Sequence, residues 1–257
     1  MAQRMPTSFD IDPNDPRAPS QEEWDRMTPD ERDRVVAMLP NEVPEELQPP
    51  EGDEHFEAKV SARQTLNAFF RRTGRKIYVS GELNVYYPNE PCFSPDVFAV
   101  RDVELRKRKT WVVSREGKGL DLALEVHVSG NRDKDYRLNV ERYARLGIAE
   151  YFLFDAAERR VFGYRLPPGG RVYRPILPQN GRLPSAVLGL DLSVEGERLR
   201  FYLGEEPLSE AEELVAKLER RVDDVTERHR AEAERAAALE RALAEARAEI
   251  ERLKRGG

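Results

Sequence analysis

The chain has 257 residues, and its 48 acidic and 42 basic side chains leave a formal net charge of −6. This length allows one sizeable core plus extensions, since single cores commonly occupy about 100 to 200 residues. The negative net charge argues against a protein that binds nucleic acid through its overall electrostatic attraction. It does not exclude a local strip of basic residues that binds nucleic acid.

The single cysteine, Cys92, excludes an intrachain disulfide and a cysteine-rich zinc site. It therefore fits a reducing compartment, and we expect the protein in the cytoplasm. The sequence has no apolar stretch near the roughly 18 residues that a membrane span needs, so no membrane association is predicted.

The first 49 residues are predicted to precede the folded domain. Residues 1–20 are rich in Pro and Asp with few large apolar groups, a composition that predicts disorder. Ser20, and Thr28 before Pro29, are N-cap signals for two short helices. Four prolines within residues 40–50 then indicate a linker.

The predicted domain covers residues 50–203 and begins with a helix that should end at Gly74. The helical spacing is carried by Phe56, Val60, Leu66, Phe69 and Phe70. Residues 76–88 and 92–100 are then rich in β-branched and aromatic side chains, which predicts two strands that pair as neighbours.

A cation-rich stretch over residues 101–119 precedes a third strand at 120–128. A helix of about three turns is predicted over residues 135–147, followed by a buried strand at 148–155 and a hairpin or meander over 159–177. The core order is therefore α, β, β, β, α, β, β. A helix that crosses between two strands favours parallel neighbours, because parallel pairing needs such a crossover.

Residues 208–257 are predicted as a coiled-coil tail. Apolar residues alternate in spacings of three and four from Ser209 to Arg255, with Glu, Arg and Ala on the other faces. The predicted seam comprises Val215, Leu218, Val222, Val225, His229, Glu232, Ala236, Leu239, Leu243, Ala246, Ile250 and Leu253. Such a stripe predicts a homo-oligomer, and the alternative is a single charged helix in solution.

Two carboxylates on predicted core strands are the strongest candidates for chemistry. Asp96 follows Pro95 at the start of one strand, and Glu125 lies within the next one. Buried carboxylates are costly unless they are paired or coordinated, and Mg²⁺ takes oxygen ligands from a few acids and waters. The alternative for Asp96 is a turn aspartate after proline.

At these residues the sequence resembles the Uma family of restriction endonucleases, within the PD-(D/E)XK nuclease superfamily. The resemblance spans about residues 50–203 and is carried by residues 86–100, 120–135, 139–155 and 189–202. It implies a restriction-endonuclease-like mixed sheet flanked by helices. It also implies that Asp96 and Glu125 bind Mg²⁺, or Mn²⁺ in its place, to activate water against a phosphodiester of DNA.

The lysine of this superfamily is missing from both positions where the resemblance implies it. The position two residues after the glutamate is His127, and the position four residues after Asp135 is Asn139. His127 could act as a base near neutral pH, and Lys134, or the nearby Arg137, could supply the cation. The alternative for His127 is a core histidine.

Other side chains keep two interpretations each. Glu82 is either a further acid of the cleft or a solvated strand residue, while Tyr143 and Tyr151 are interpreted as packing groups. The basic stretch either contacts phosphates or forms a solvated loop. It comprises Arg101, Arg106, Lys107, Arg108, Lys109, Arg115 and Lys118.

The sequence thus predicts a Mg²⁺-dependent endonuclease that acts on DNA. Because the expected lysine is absent, the alternative is a nuclease-derived protein without catalysis, which binds DNA or acts through its coiled coil.

Overall fold

The computed structural model describes residues 9, 11–41, 52–130 and 132–255. Residues 1–8 of the predicted disordered lead, and almost all of the predicted linker, lie outside the described residues. The chain divides into two compact units, Met1–Leu208 and Ser209–Gly257. The helices are α1 (Gln21–Arg26), α2 (Pro29–Met38), α3 (Asp53–Thr73), α4 (Val113–Glu116), α5 (Asn139–Arg145) and α6 (Ala211–Arg255).

The first unit is a mixed α/β fold built on a six-stranded sheet of order β1-β3-β5-β6-β7-β8. Its strands β5 and β6 are parallel and the remaining neighbours are antiparallel. These strands are β1 (Ile77–Ser80), β3 (Val97–Arg101), β5 (Leu122–His127), β6 (Glu150–Asp155), β7 (Arg160–Arg165) and β8 (Arg174–Pro175). The predicted mixed sheet with flanking helices is therefore confirmed.

Two smaller sheets complete this unit. The parallel pair consists of β2 (Asn84–Tyr86) and β4 (Thr110–Val112). A four-stranded antiparallel sheet has the order β12-β11-β10-β9. Its strands are β9 (Leu183–Ser185), β10 (Leu190–Glu195), β11 (Arg198–Leu203) and β12 (Glu206–Pro207).

Helix α3 and the second sheet contribute to one apolar cluster of the core, whereas α5 contributes to another. Leu66 and Phe69 of α3 cluster with Leu124 of β5, and Tyr143 of α5 clusters with Ala123, the neighbouring β5 residue whose side chain points the opposite way. Strand β5 is thus covered on both faces and its six residues are all buried. A carboxylate on this strand lies inside the protein.

The N-terminal segment differs from the disordered lead that its composition predicts. Ala18 is 3% exposed and forms a bridge with Pro88, while Arg17 bridges Pro91. Trp24 and Leu39 then pack in one cluster with residues of β2 and β4. Phe9, Ile11 and Ala18 join the same cluster, so these apolar side chains dock on an apolar surface of the domain. Both predicted short helices, α1 and α2, begin with a capping box.

The helix predicted over residues 135–147 forms, but it begins with a π-helical turn. Lys134–Leu138 form a π-helical turn, and α5 follows from Asn139. A π-helical turn contains an extra residue compared with an α-helical one, and such turns are frequent at functional sites. Asp135 lies in this turn and is 8% exposed.

The second unit is the single 45-residue helix α6. Its predicted apolar stripe lies on the surface, with Leu218 at 60% and Leu239 at 72% exposure. The long C-terminal helix is confirmed, and its association stays a prediction. Among the described residues, no helix combines the length and apolar character that crossing a membrane demands.

Candidate active site

The acidic pair lies where strands β3 and β5 meet. The two strands are antiparallel with Val97 opposite Leu124, so Asp96 comes beside Glu125. The amide of Asp96 donates to Glu125 Oε2 at 3.3 Å, and the amide of Val126 donates to Asp96 Oδ2 at 2.8 Å. Each carboxylate is therefore held by the backbone of the opposite strand, and the two face one another.

The backbone of Asp96 is fixed by the turn that follows β1. A Cβ at Gly81 would lie 2.0 Å from the carbonyl oxygen of Asp96, so only glycine fits this close approach. The next amide, from Glu82, donates to the carbonyl of Pro95 at 3.1 Å. The turn thus locks the Pro95–Asp96 pair in place.

Two further side chains hold the carboxylates. His55 of α3 places Nε2 3.2 Å from Asp96 Oδ2, and Tyr143 of α5 donates its hydroxyl to Glu125 Oε1 at 2.5 Å. His55, Asp96 and Glu125 are widely separated in the sequence, and helices on both faces of the sheet bring the partners together. The site is consequently a product of the tertiary fold.

The two carboxyl groups differ in their ionisation. Burial raises the pKa of Glu125 well above its usual range, and the charge of Asp96 raises it further. Burial also opposes ionisation of Asp96, but the hydrogen bond and charge of His55 outweigh it and lower the pKa of Asp96. The two opposite shifts favour the protonated form at Glu125 and the ionised form at Asp96.

A second polar cluster lies further along β5. His127 Nδ1 is 3.0 Å from Asp135 Oδ2, and Asn139 donates to the other oxygen of Asp135 at 3.2 Å. Tyr151 donates its hydroxyl to the backbone carbonyl of Asp135 at 2.9 Å. The two positions at which the resemblance implies a lysine therefore converge on one buried aspartate.

Lys134 differs from these neighbours because its side chain is exposed. It starts the π-helical turn, and its positive charge acts to lower the pKa of Glu125, which places the cation within electrostatic reach of the site. The structure thus brings Asp96 and Glu125 into direct contact, with His127 anchored to Asp135 and Lys134 at the periphery.

Sequence reasoning did not assign a role to His55 or Asp135, and it took Tyr143 for a packing group only. Tyr143 does pack against Phe93 and Tyr151, yet its hydroxyl also binds Glu125. No local signal marks His55, whereas the polar Asp135 and Asn139 at a spacing of four could have indicated a shared contact.

Glu82 is neither an acid of the pair nor a strand residue. It lies in the turn between β1 and β2 with a φ of 56°, and its side chain is 61% exposed. Its carboxylate binds the buried Lys59, which stands one helical turn after His55 on α3.

The solvated-loop interpretation of the basic stretch holds for residues 102–109, which form a loop with Arg106, Lys107 and Lys109 exposed. Five of the seven cations of the stretch nevertheless form ion pairs within the domain. Arg108 has a side chain only 2% exposed, pairs with Glu116 and stacks on the rings of Tyr78 and Trp111. The other ion pairs are Arg106 with Glu116, Arg101 and Lys118 with Asp121, and Arg115 with Asp33. Most of this positive charge is therefore neutralised within the domain.

A family model described as "Putative restriction endonuclease", Uma2, matches residues 21–195, which is more than half of the chain. The chain belongs to the Uma2 family. No curated protein matches the sequence. A similar solved structure is the crystal structure of "a putative nuclease belonging to DUF820" from Anabaena variabilis, at 16% identity and a TM-score of 0.43, which covers 55% of this chain and 77% of that one.

The match starts at residue 21 and thus includes α1 and α2, which the predicted domain boundary at residue 50 left outside. In the part of this Uma2 chain that the structure describes, no three His, Cys, Asp or Glu side chains are arranged as a metal centre. The candidate site of this chain therefore offers two carboxylates as possible metal ligands, those of Asp96 and Glu125.

Proposed function

We propose that this Uma2 protein is a Mg²⁺-dependent endonuclease that hydrolyses phosphodiester bonds of DNA at the Asp96–Glu125 pair, with Mn²⁺ as an alternative ion. The observation that carries the proposal is the pair itself. Glu125 is buried and faces Asp96, whose side chain is 15% exposed, and a backbone amide donates to each carboxylate. Such an arrangement is costly for the apo protein and has a clear use in holding a cation.

The donor set suits a hard divalent cation. Mg²⁺ prefers oxygen ligands and is commonly bound through one or two carboxylates, with waters and substrate phosphate as the other ligands. Within the described residues, the Asp96–Glu125 pair offers two carboxylates that agree with this pattern, and His55 is used as a hydrogen-bond partner of Asp96. The raised pKa of Glu125 supports it, since a cation beside the pair would replace the proton that the buried carboxyl now needs.

The bound ion would polarise the phosphate and lower the pKa of a coordinated water. Asp96 and Glu125 would hold the ion, and the hydrogen bonds from His55 and Tyr143 would fix the direction of their oxygens. These partners reduce the freedom of the two carboxylates before substrate arrives.

His127 is proposed to accept the proton of the attacking water. Asp135 holds Nδ1 of this imidazole and thereby directs Nε2 away from itself, as an orienting carboxylate does for a histidine base. Asn139 occupies the second oxygen of Asp135 and keeps that carboxylate in position. Lys134 is proposed to contact the phosphate from the exposed side of the π-helical turn.

A second candidate function is DNA binding or helix-mediated assembly without catalysis. Its support is that both positions at which the resemblance implies a lysine hold other residues, His127 and Asn139. Both of these side chains bind Asp135. We propose DNA as a partner in the nuclease and DNA-binding functions, and a second copy of the chain, bound through α6, as a further partner.

A nuclease assay on plasmid and single-stranded DNA tests the proposal. The purified chain should cleave with Mg²⁺ or Mn²⁺ and stop when EDTA is added. Glu125→Ala should lower the rate by about 100-fold or more, because it removes half of the donor set. Glu104→Gln is the matched control, since the Glu104 side chain is 76% exposed and lies in the loop that follows β3, away from the end of the strand where Asp96 stands.

Three outcomes decide between the functions. Cleavage that survives in Glu125→Ala would refute the assigned site. A wild-type chain that binds DNA without cleaving it would select the binding function. A chain that does neither but self-associates would select the assembly function.

A further inference from the structure

The seam of helix α6 is an apolar stripe, interrupted by His229 and Glu232, that is exposed to solvent in the single chain. Its large members are 50% to 72% exposed: Val215, Leu218, Val222, Val225, Leu239, Leu243 and Ile250. A stripe with spacings of three and four fits a second helix with the same spacing. A second copy of α6 meets that requirement, which deepens the assembly part of the proposed function.

We infer that two copies of α6 pair in an antiparallel coiled coil with nearly full overlap, so that Leu218 lies opposite Ile250 of the second copy. In this register the residue numbers of two seam residues that face one another always add up to 468. Val222 thus faces Ala246 of the second copy, and Val225 faces Leu243. A seam residue at position a of the heptad therefore faces one at position d of the second copy, as antiparallel packing requires.

The polar seam residues decide the orientation. A parallel pair would place Glu232 opposite its own copy in one core layer, and like carboxylates in a shared apolar layer repel. His229 would also face itself. In the antiparallel register Glu232 faces Ala236 of the second copy and His229 faces Leu239. The aliphatic stem of Glu232 can cover the small alanine while its carboxylate reaches water.

The small seam residues support the same orientation. Parallel pairing would make two layers of alanine alone, at Ala236 and Ala246, between layers of leucine, valine and isoleucine. Such layers leave voids in a coiled-coil core. The antiparallel register instead sets Ala246 against Val222, which distributes side-chain volume more evenly along the pair.

The flanking charges are balanced between the two orientations, so the core layers dominate. The antiparallel register places Glu219 beside Arg247 of the second copy twice, and it brings Arg235 near its own copy once. The parallel register would place Arg235 beside Glu240 twice. The antiparallel arrangement also aligns the helix dipoles favourably, since each N-terminus meets the C-terminus of the other helix.

The orientation determines where the two first units attach. In the antiparallel pair the two Ala211 ends are about 70 Å apart along the axis, at 1.5 Å per residue, whereas parallel helices would bring them within about 10 Å. If the proposed nuclease function holds, each dimer would carry two acidic sites, one in each first unit, attached at opposite ends of the coiled coil.

Spin-label distances on the full chain test this orientation without any need for nuclease activity. In a Cys92→Ser background, Arg220→Cys and Glu234→Cys each place one nitroxide on the outer face of the helix. The antiparallel register predicts about 45 Å between labels at 220 and about 20 Å at 234, the level of its symmetry axis. The 234 variant is the control, because a parallel pair gives about the same short distance there.

Each result has a defined meaning. A long distance at 220 with a short one at 234 supports the inference. Short distances at both positions would establish a parallel pair and overturn it. The absence of any dipolar coupling at 234 would show that α6 does not pair with a second copy. None of these outcomes depends on cleavage, so a failure of the proposed nuclease function would be recognised separately.

Discussion

Replacement of Glu125 by Gln removes the buried charge and retains the shape of the side chain. Glu125 is 4% exposed, and its folded pKa is raised first by burial and then by Asp96. In the unfolded chain the pKa of a glutamate is about 4.3. The stability that comes from the protonated folded group is therefore fully present below that value and is lost as the pH rises through the folded pKa.

Glutamine stays neutral at high pH, so the variant does not lose stability through ionisation of a buried group. Each unit by which the folded pKa exceeds the unfolded one corresponds to about 1.4 kcal/mol, and about 1 kcal/mol changes the melting temperature of a domain of this size by about 2 to 4 °C. We expect Glu125→Gln to melt above wild type at pH 8 without divalent cations, with a difference that shrinks toward pH 5.

Tryptophan fluorescence is the suitable probe, because both tryptophans, Trp24 and Trp111, belong to the first unit. Melts of wild type, Glu125→Gln and the control Glu104→Gln at pH 5, 6.5 and 8 in EDTA would measure the effect. A constant difference between wild type and Glu125→Gln across this range would refute the reasoning, because the ionisation of Glu125 would then not contribute.

Three further predictions address other parts of the chain. Lys134→Ala should slow cleavage, and its melting temperature should stay unchanged because the lysine is exposed. Arg137, which binds Asp133, is the comparison: an equal loss of cleavage rate in Arg137→Ala would contradict a specific role of Lys134. Arg108→Ala should destabilise the first unit by about 3 kcal/mol in urea unfolding, since it breaks a buried ion pair and two ring contacts. A variant that loses DNA affinity while its stability is unchanged would contradict this structural role. Truncation after Pro207 should lower the number of chains per particle in light scattering and preserve the tryptophan transition, and an unchanged number of chains would exclude assembly through α6.

The sequence predicted the elements whose signals are local. Gly74 ends α3 with a positive φ, as its position after the last apolar residue indicates. The parallel pairing of β5 and β6 followed from the crossover between them. The second antiparallel sheet was missed, although Asn180–Gly181 and Gly196 are turn signals between short alternating segments.

The sequence could not predict features that depend on distant partners. Asp96 and Glu125 were found because each stands on an apolar strand, but His55 lies on a helix whose docking brings it to Asp96. The burial of Arg108 depends on Tyr78 and Trp111, which lie on different strands. Composition likewise predicted disorder before residue 20, since it does not reveal the apolar surface on which Ala18 docks.

Titration calorimetry of Mn²⁺ into the metal-free chain tests most directly whether the Asp96–Glu125 pair holds a cation. Wild type should bind one ion per chain, with proton release as Glu125 ionises, and Asp96→Asn should bind at least about tenfold more weakly. Equal affinity and equal proton release in the two proteins would contradict the account.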